Sequence, residues 1–324
     1  MTRPFENVSF TAVRDARADA ALRAALPEIA AAVRACALPG FAGLVLGGGY
    51  GRGEGGVAPG RRLYNDLDLF VLLDAPEAAF PRLAAALAPV AAAFGRRLGL
   101  DVDFALRTAA RLRHDERRLM VQELLRAHVV LDPAGFDLAA WSGARRHAAA
   151  DVPAGEAARL LMNRGMGLEL ARRRLRANGG RADGFVLRNV NKAVLGAGDA
   201  RLVAEGRYAW RLADREAALG DAAYAQACAF KRRPSDDPAA VATWDAARAA
   251  WRAAADALFA RRGRELRRRS LGQLARWIAR RRTLGAPATL GMDCTVRVLE
   301  ALRACAARAD GVPPAVERDW EVFN

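Results

Sequence analysis

Residues able to do chemistry together gather early in the chain. Leu44-Val45-Leu46-Gly47-Gly48-Gly49-Tyr50-Gly51-Arg52-Gly53-Glu54 is an apolar run that breaks into glycines, and Asn65-Asp66-Leu67-Asp68-Leu69-Phe70-Val71 follows with two carboxylates at alternate positions. Glycines at the end of a strand let the backbone turn tightly and come close to a ligand. Acids two apart on a strand project from one face, which is how a protein presents oxygen ligands to a divalent cation. Leu100-Asp101-Val102-Asp103-Phe104-Ala105-Leu106 is a second alternating stretch that carries acids. Hard oxygen donors from neighbouring strands suit Mg²⁺ bound together with substrate phosphates. Asp101 and Asp103 share a face, so spacing alone leaves either as the third ligand beside Asp66 and Asp68.

The elements that must hold these groups can be read around them. Apolar residues at helical period from about Thr11 to Ala37 predict a helix that ends at Pro39-Gly40, and a strand through Gly43 to Leu46 leads into the glycine turn. The exposed amides of such a turn are able to cradle phosphate oxygens. Gly55-Gly56-Val57-Ala58-Pro59-Gly60-Arg61-Arg62 reads as a mobile loop, with Arg61 and Arg62 either solvated or closing over a triphosphate. A strand from Asp66 to Leu73, a helix from Asp74-Ala75-Pro76-Glu77 to about Leu98, the strand at Asp101, a helix from Asp115 to Ala127 and a short strand at His128 to Pro133 complete the region. Helix-covered strands imply an α/β core.

From about Ala148 the pattern is helical almost throughout. Gly155 to Ala177 predicts a helix stopped by Asn178-Gly179-Gly180, and Phe185 to Ala200 a second one with unusual polarity for a core helix. Lys231 to Pro238 reads as a loop, with further helices from about Val241, Leu266 and Met292. The dense arginine run from Arg261 to Arg282 carries Leu271, Leu274, Trp277 and Ile278 along one face. It reads as an amphipathic helix with a solvated face, the sharper alternative being a track for an acidic partner or RNA. The expected fold is α+β: residues 1–147 form a domain with a small mixed sheet flanked by helices, and residues 148–324 an all-α bundle.

Gly48-Gly49-Tyr50-Gly51-Arg52-Gly53-Glu54 with Asp66-Leu67-Asp68 resembles the catalytic signature of the DNA polymerase β-like nucleotidyltransferase superfamily. The wording is closest to the branch that contains the PII uridylyltransferases and glutamine synthetase adenylyltransferases. Val102 to Arg107 resembles that branch's third-carboxylate strand, which favours Asp103 over Asp101. The resemblance covers roughly residues 25–135, and the gap from Gly49 to Asp66 is several residues longer than the family usually shows. It implies two Mg²⁺ ions, or Mn²⁺, held by Asp66, Asp68 and Asp103. It also implies a nucleoside triphosphate, ATP by default, near Gly48, Gly49, Tyr50, Arg52 and Glu54. Arg52 and Glu54 stand equally well for phosphate contact or for an ion pair of their own. The helices after Ala148 resemble the bundle that accompanies many such domains. There Lys192 is suited to reach the triphosphate and Asp199 to act as a general base, each against the plainer reading of capping or ion pairing.

The implied activity is transfer of NMP onto a hydroxyl of a small molecule or protein. The alternatives are a nucleotide-binding regulator or toxin–antitoxin-type protein without transfer, and an RNA-tailing enzyme. The net charge of +15 admits a nucleic-acid partner, but nearly all the cations are Arg, with Lys192 and Lys231 the only lysines, as a G+C-rich coding sequence would produce. Four scattered cysteines and three histidines make no zinc pattern and predict free thiols. The start lacks an apolar core of signal-peptide length, and the Ala-rich stretch from Leu83 to Phe94 reads as too short to span a bilayer. The expectation is a soluble, cytoplasmic protein with no membrane partner.

Overall fold

The computed structural model describes residues 5–267, 294–308, 312–314, 316–317 and 320. The chain is α+β and folds as two compact units. The first gathers the residues up to Ala148 with Trp210–Leu212 and Ala229–Ser235. The second holds Ala149–Ala209, Ala213–Cys228 and the residues from Asp236 onward.

The first unit is built on a mixed four-stranded sheet. Its strands are β1 (Phe41–Leu46), β4 (Asp66–Leu73), β5 (Asp101–Arg107) and β6 (Val129–Asp132), in the order β5-β4-β1-β6. The β4–β5 pair is parallel, while β1 runs antiparallel to β4 and β6. The parallel pair needs a crossover, supplied by α3 (Phe80–Leu98). One sheet face carries Leu67, Leu69, Val71 and Leu73 of β4. It packs on Leu22, Leu26, Ile29 and Val33 of α1 (Ala16–Ala35) and on Leu83 and Leu87 of α3. The other face carries Val45, Phe70 and Leu72. Beyond the acids it is covered by Leu112, Val121, Leu124 and Leu138 from three short helices, α4 (Ala109–His114), α5 (Leu119–Arg126) and α6 (Leu138–Ser142). The continuous apolar run from Leu69 to Leu73 follows from this double burial.

Several predicted boundaries move, each for a local reason. α1 begins at Ala16 because Asp15 caps it, its Oδ1 accepting from the N–H groups of Arg17 and Ala18. The helix expected from Asp115 to Ala127 starts later, at Leu119, and a separate short helix precedes it and ends at His114, because the Asp115 side chain accepts from Arg111 and Arg118 and closes a turn between the two. The expected mobile loop at residues 55–62 is instead an antiparallel hairpin of β2 (Gly56–Ala58) and β3 (Arg62–Tyr64). Val57 and Leu63 are buried beneath it, Arg62 Nε donates to the Pro59 carbonyl, and the Arg61 side chain is exposed.

The Ala-rich stretch is longer than expected. With its leading turn, Glu77–Leu98 is long and apolar enough to cross a membrane by length and composition, and α3 is the one described helix of that kind. Its 19 residues span about 28 Å at 1.5 Å per residue. Within the unit its Leu83 and Leu87 edge is core, while its outer face is mostly alanine.

The described elements of the second unit are helical. α7 (Ala154–Ala177) packs against α8 (Gly184–Ala204), α11 (Trp244–Arg267) and α12 (Cys294–Arg308), and α8 also packs on α11. Between them in sequence lie α9 (Leu212–Leu219) and α10 (Ala222–Arg232). Trp251 of α11 is fully buried and donates its indole N–H to the Leu161 carbonyl of α7 at 2.8 Å. The arginine run beyond Arg267, with its apolar residues from Leu271 to Ile278, lies outside the described residues. Cys36, Cys228 and Cys305 take part in no disulfide.

Candidate metal centre

β4 opens with the two acids, and the parallel register sets Asp66 beside Asp101 and Asp68 beside Asp103. Asp66, Asp68 and Asp103 bring one carboxylate oxygen each to within 4.8 Å of one another, the only such acidic group among the described residues. Asp101 shares the face but is not part of the group. Three oxygen-only donors at this spacing, half-buried at Asp66 and Asp68 and open at Asp103, fit a hard divalent ion such as Mg²⁺ or Mn²⁺. Among the described residues no basic side chain is ion-paired to Asp66 or Asp103. The charge accumulates accordingly: burial first, then Asp66 and Asp101, hold the Asp103 carboxyl above its ordinary range.

The glycine turn is part of this centre. β1 runs into α2 (Gly48–Gly51), a single turn seated against β4, with Gly47 N–H donating to the Asp68 carbonyl at 2.9 Å. Gly48 has φ +59°, and a Cβ there would stand 1.7 Å from Asp68 Oδ2. Only glycine permits both the left-handed turn and the close approach. The amides of Gly51, Arg52, Gly53 and Glu54 bond back to carbonyls within the motif, so they hold its shape. A Cβ added at Gly49 would stand 3.7 Å from the Glu54 carbonyl oxygen, an ordinary contact, so that position does not demand glycine.

Tyr50, Arg52 and Glu54 are spent on architecture. Tyr50 is 2% exposed, and its hydroxyl accepts from Tyr64 N–H at 2.8 Å and lies 3.0 and 3.1 Å from the Gly56 and Tyr64 carbonyls. It clasps the hairpin, and burial raises its pKa well above the usual phenol value, with nearby Asp66 adding to the shift. Arg52 donates to Glu54 at 3.1 Å and to Glu123 of α5 at 2.9 Å, with all three side chains largely buried. Glu54 also accepts from Leu212 N–H at 2.7 Å, and Arg126 stacks 4.0 Å from the Trp210 ring centroid. Together these contacts hold the 210–212 segment to the first unit. Lys192 and Asp199 belong to the second unit, on α8. There Asp199 Oδ1 accepts from Tyr224 OH at 2.6 Å and lies 3.0 Å from Arg215 Nε.

One positioning residue escaped the sequence reading. Asn65, at φ +81°, donates its side-chain N–H to Asp66 Oδ1 and so orients the first acid. Asn tolerates left-handed backbone better than most residues, which is why it serves at the step into β4.

The raised Asp103 pKa gives a signed prediction. A proton competes with the cation for the same oxygen, so Mg²⁺ affinity should fall as pH drops through that pKa, by up to about tenfold per pH unit. The loss should set in at a higher pH than an ordinary carboxylate would give. Without metal the sign reverses: the ionised form is the one the fold disfavours, so stability rises as pH falls through the same value. Calorimetric Mg²⁺ titrations from neutral to acidic pH, with melting curves alongside, check both signs. Comparison with protein-family models, curated proteins and solved structures finds no match to this chain, which leaves the geometry above to carry its functional reading.

Proposed function

We propose that the first unit is a metal-dependent nucleotidyl-transfer centre that moves NMP, with ATP the first donor to test, onto a hydroxyl of a small molecule or protein. The observation that carries this is the convergence of Asp66, Asp68 and Asp103 from two parallel strands beneath a turn where Gly48 leaves no space for a side chain. That arrangement supplies oxygen ligands and, next to them, backbone that a triphosphate can approach at Gly48 and Gly49. The motif resemblance supports the same reading. Divalent ions bound there would offset the charge of the triphosphate and the departing pyrophosphate and lower the acceptor's pKa. Asp66, oriented by Asn65, and Asp68, seated against the turn, fix the ligand positions. Asp103 is the most open of the three and completes the donor set from the neighbouring strand; as the acceptor oxygen bonds to the α-phosphorus, its proton passes to water. The bond that breaks joins the α-phosphorus to the bridging oxygen, and pyrophosphate leaves. Most of the rate then comes from positioning and fixed charge.

The test is incubation of the purified protein with each α-labelled NTP and Mg²⁺ in host lysate. Label should move onto an acceptor and vanish with Asp66→Ala/Asp68→Ala. The size and chemistry of the labelled species separate a small molecule, a protein and an RNA tail. Tight NTP binding with no transfer under any condition would overturn the catalytic reading in favour of a nucleotide-binding regulator.

A further inference from the structure

Helices α7, α11 and α12 of the second unit border a pocket. Gly165 of α7 sets it up: a Cβ there would stand 2.7 Å from Trp251 Cζ2 and 3.2 Å from Leu302 Cδ1, so glycine lets both side chains come close to the helix backbone. Leu168, Trp244, Trp251, Leu302 and Val312 line the space, which measures about 380 Å³ with its open side included. That is the lower range of a small-molecule pocket. Both indole N–H groups are spent on α7 carbonyls, Trp251 on Leu161 at 2.8 Å and Trp244 on Leu168 at 2.9 Å. The tryptophans therefore offer the pocket apolar surface and no donor.

The polar part of the lining keeps a donor in reserve. Glu169 and Arg172 both line the pocket and meet side-on, Oε2 accepting from Nε and Oε1 from Nη2, each at 2.7 Å. Oε1 also accepts from Arg173 Nε at 2.9 Å. The third nitrogen of Arg172, Nη1, is not used by that carboxylate; it is buried and has no hydrogen-bond partner among the described residues. A buried N–H without an acceptor costs the full desolvation of the group, and arginine does not relieve it by losing its proton. Arg248 lines the same pocket, with its guanidinium carbon 5.0 Å from the Trp244 ring centroid. It pairs at 3.3 Å with Asp245, whose side chain is 79% exposed, so solvent screens that ion pair. Apolar walls thus meet an unmet guanidinium donor and a second, weakly balanced cation.

We propose that this pocket binds a small apolar carboxylate. The carboxylate accepts from Arg172 Nη1 in a charge-assisted hydrogen bond, the charge of Arg248 adds to the attraction, and the apolar body displaces water from the tryptophan and leucine side chains. A neutral ligand would leave the charge unanswered, and a bare anion would leave the apolar walls wet. The acids of the metal centre take no part in this site.

The test measures binding, so it stands whether or not transfer occurs. The full chain is titrated calorimetrically with benzoate, with acetate, which lacks the apolar body, and with benzyl alcohol, which lacks the charge, all at equal ionic strength. Benzoate should bind saturably in the millimolar range or tighter, and each of the other two about tenfold or more weakly. Arg172→Lys keeps a cation beside Glu169 but removes Nη1, and it should weaken benzoate about tenfold while leaving benzyl alcohol unchanged. Ala306→Leu, in the α12 part of the lining, fills the space without touching the ion pair and should weaken both aromatic probes. It decides the matter on its own if Arg172→Lys melts before it can be titrated. Arg96→Gln, on exposed α3 surface, should leave benzoate binding unchanged. Benzoate binding that is absent, that acetate or benzyl alcohol matches, or that survives Ala306→Leu would overturn the proposal and leave water as the partner of Arg172 Nη1.

Discussion

Gly48→Ala is expected to abolish the Mg²⁺ response and reduce nucleotidyl transfer by about 100-fold or more, with the fold intact. The added methyl would meet Asp68 Oδ2 at 1.7 Å and its carboxyl carbon at 2.6 Å, distances that force the carboxylate away from its partners. Displacing a reacting group by an ångström is enough for a loss of about that size. The left-handed backbone adds a cost of about 1–2 kcal/mol on its own. Gly60→Ala isolates that second effect, since Gly60 also has positive φ, at +74°, but nothing lies within 4 Å of its Cβ direction. It should lower the melting temperature similarly and leave the Mg²⁺-induced stabilisation in place. At a hundred times its dissociation constant, a bound ion stabilises by about 2.7 kcal/mol, enough to separate the two variants by melting alone. If Gly48→Ala kept both the Mg²⁺ shift and the transfer, the position of the Asp68 carboxylate would not matter to the centre.

The same comparison shows what the sequence could and could not reveal. Asp66 and Asp68 were legible because strand period alone puts residues two apart on one face, and the apolar residues between them advertise the strand. Spacing left Asp101 and Asp103 open and only the motif resemblance favoured Asp103, because the choice depends on how two separate segments align, which residue spacing does not record. The β4–β5 register sets Asp68 beside Asp103, and the oxygens converge there. Tyr50 looked like a ligand contact because it stands among the motif's glycines. Its burial comes from a hairpin whose strands are only three residues each and whose glycines and proline mimic a loop. Arg52 and Glu54 were ambiguous for a related reason: Glu123, the second partner of Arg52, is 71 residues away in sequence. The later start of α5 was hidden because the side-chain bonds of Asp115 hold residues 115–118 as a turn in a stretch whose composition otherwise suits helix. Long-range partners of this kind carry no local signature in the chain.

Arg215→Met is expected to be among the most destabilising single changes in the second unit, by about 3–5 kcal/mol. Arg215 is 2% exposed and lies between Asp199 of α8, Tyr224 of α10 and Tyr208. Its Nη1 donates to Tyr208 OH at 2.8 Å and to the Ala209 carbonyl at 3.0 Å, and its guanidinium sits 4.9 Å from the Tyr208 ring centroid. Removing the cation takes the guanidinium from the largely buried Asp199 carboxylate and the donor from Tyr208 OH and the Ala209 carbonyl, and breaking a buried pair from one side costs far more than the pair contributes. The tyrosine responds to the same balance: burial and the charge of Asp199 hold the Tyr224 pKa far above its ordinary value. Asp199→Leu combined with Arg215→Met removes both charges, and it should recover a substantial part of the loss, which a double-mutant cycle of melting or urea unfolding would read directly. The cycle also decides the role of Asp199. A carboxylate whose Oδ1 serves Tyr224 and Arg215 is a structural member of this network, so Asp199→Asn should keep nucleotidyl transfer within a few-fold of wild type once corrected for folded protein. A general base would lose about 100-fold or more in the same variant while its melting temperature barely moved. Loss of transfer without loss of stability would therefore move Asp199 from the architecture of the second unit to the chemistry.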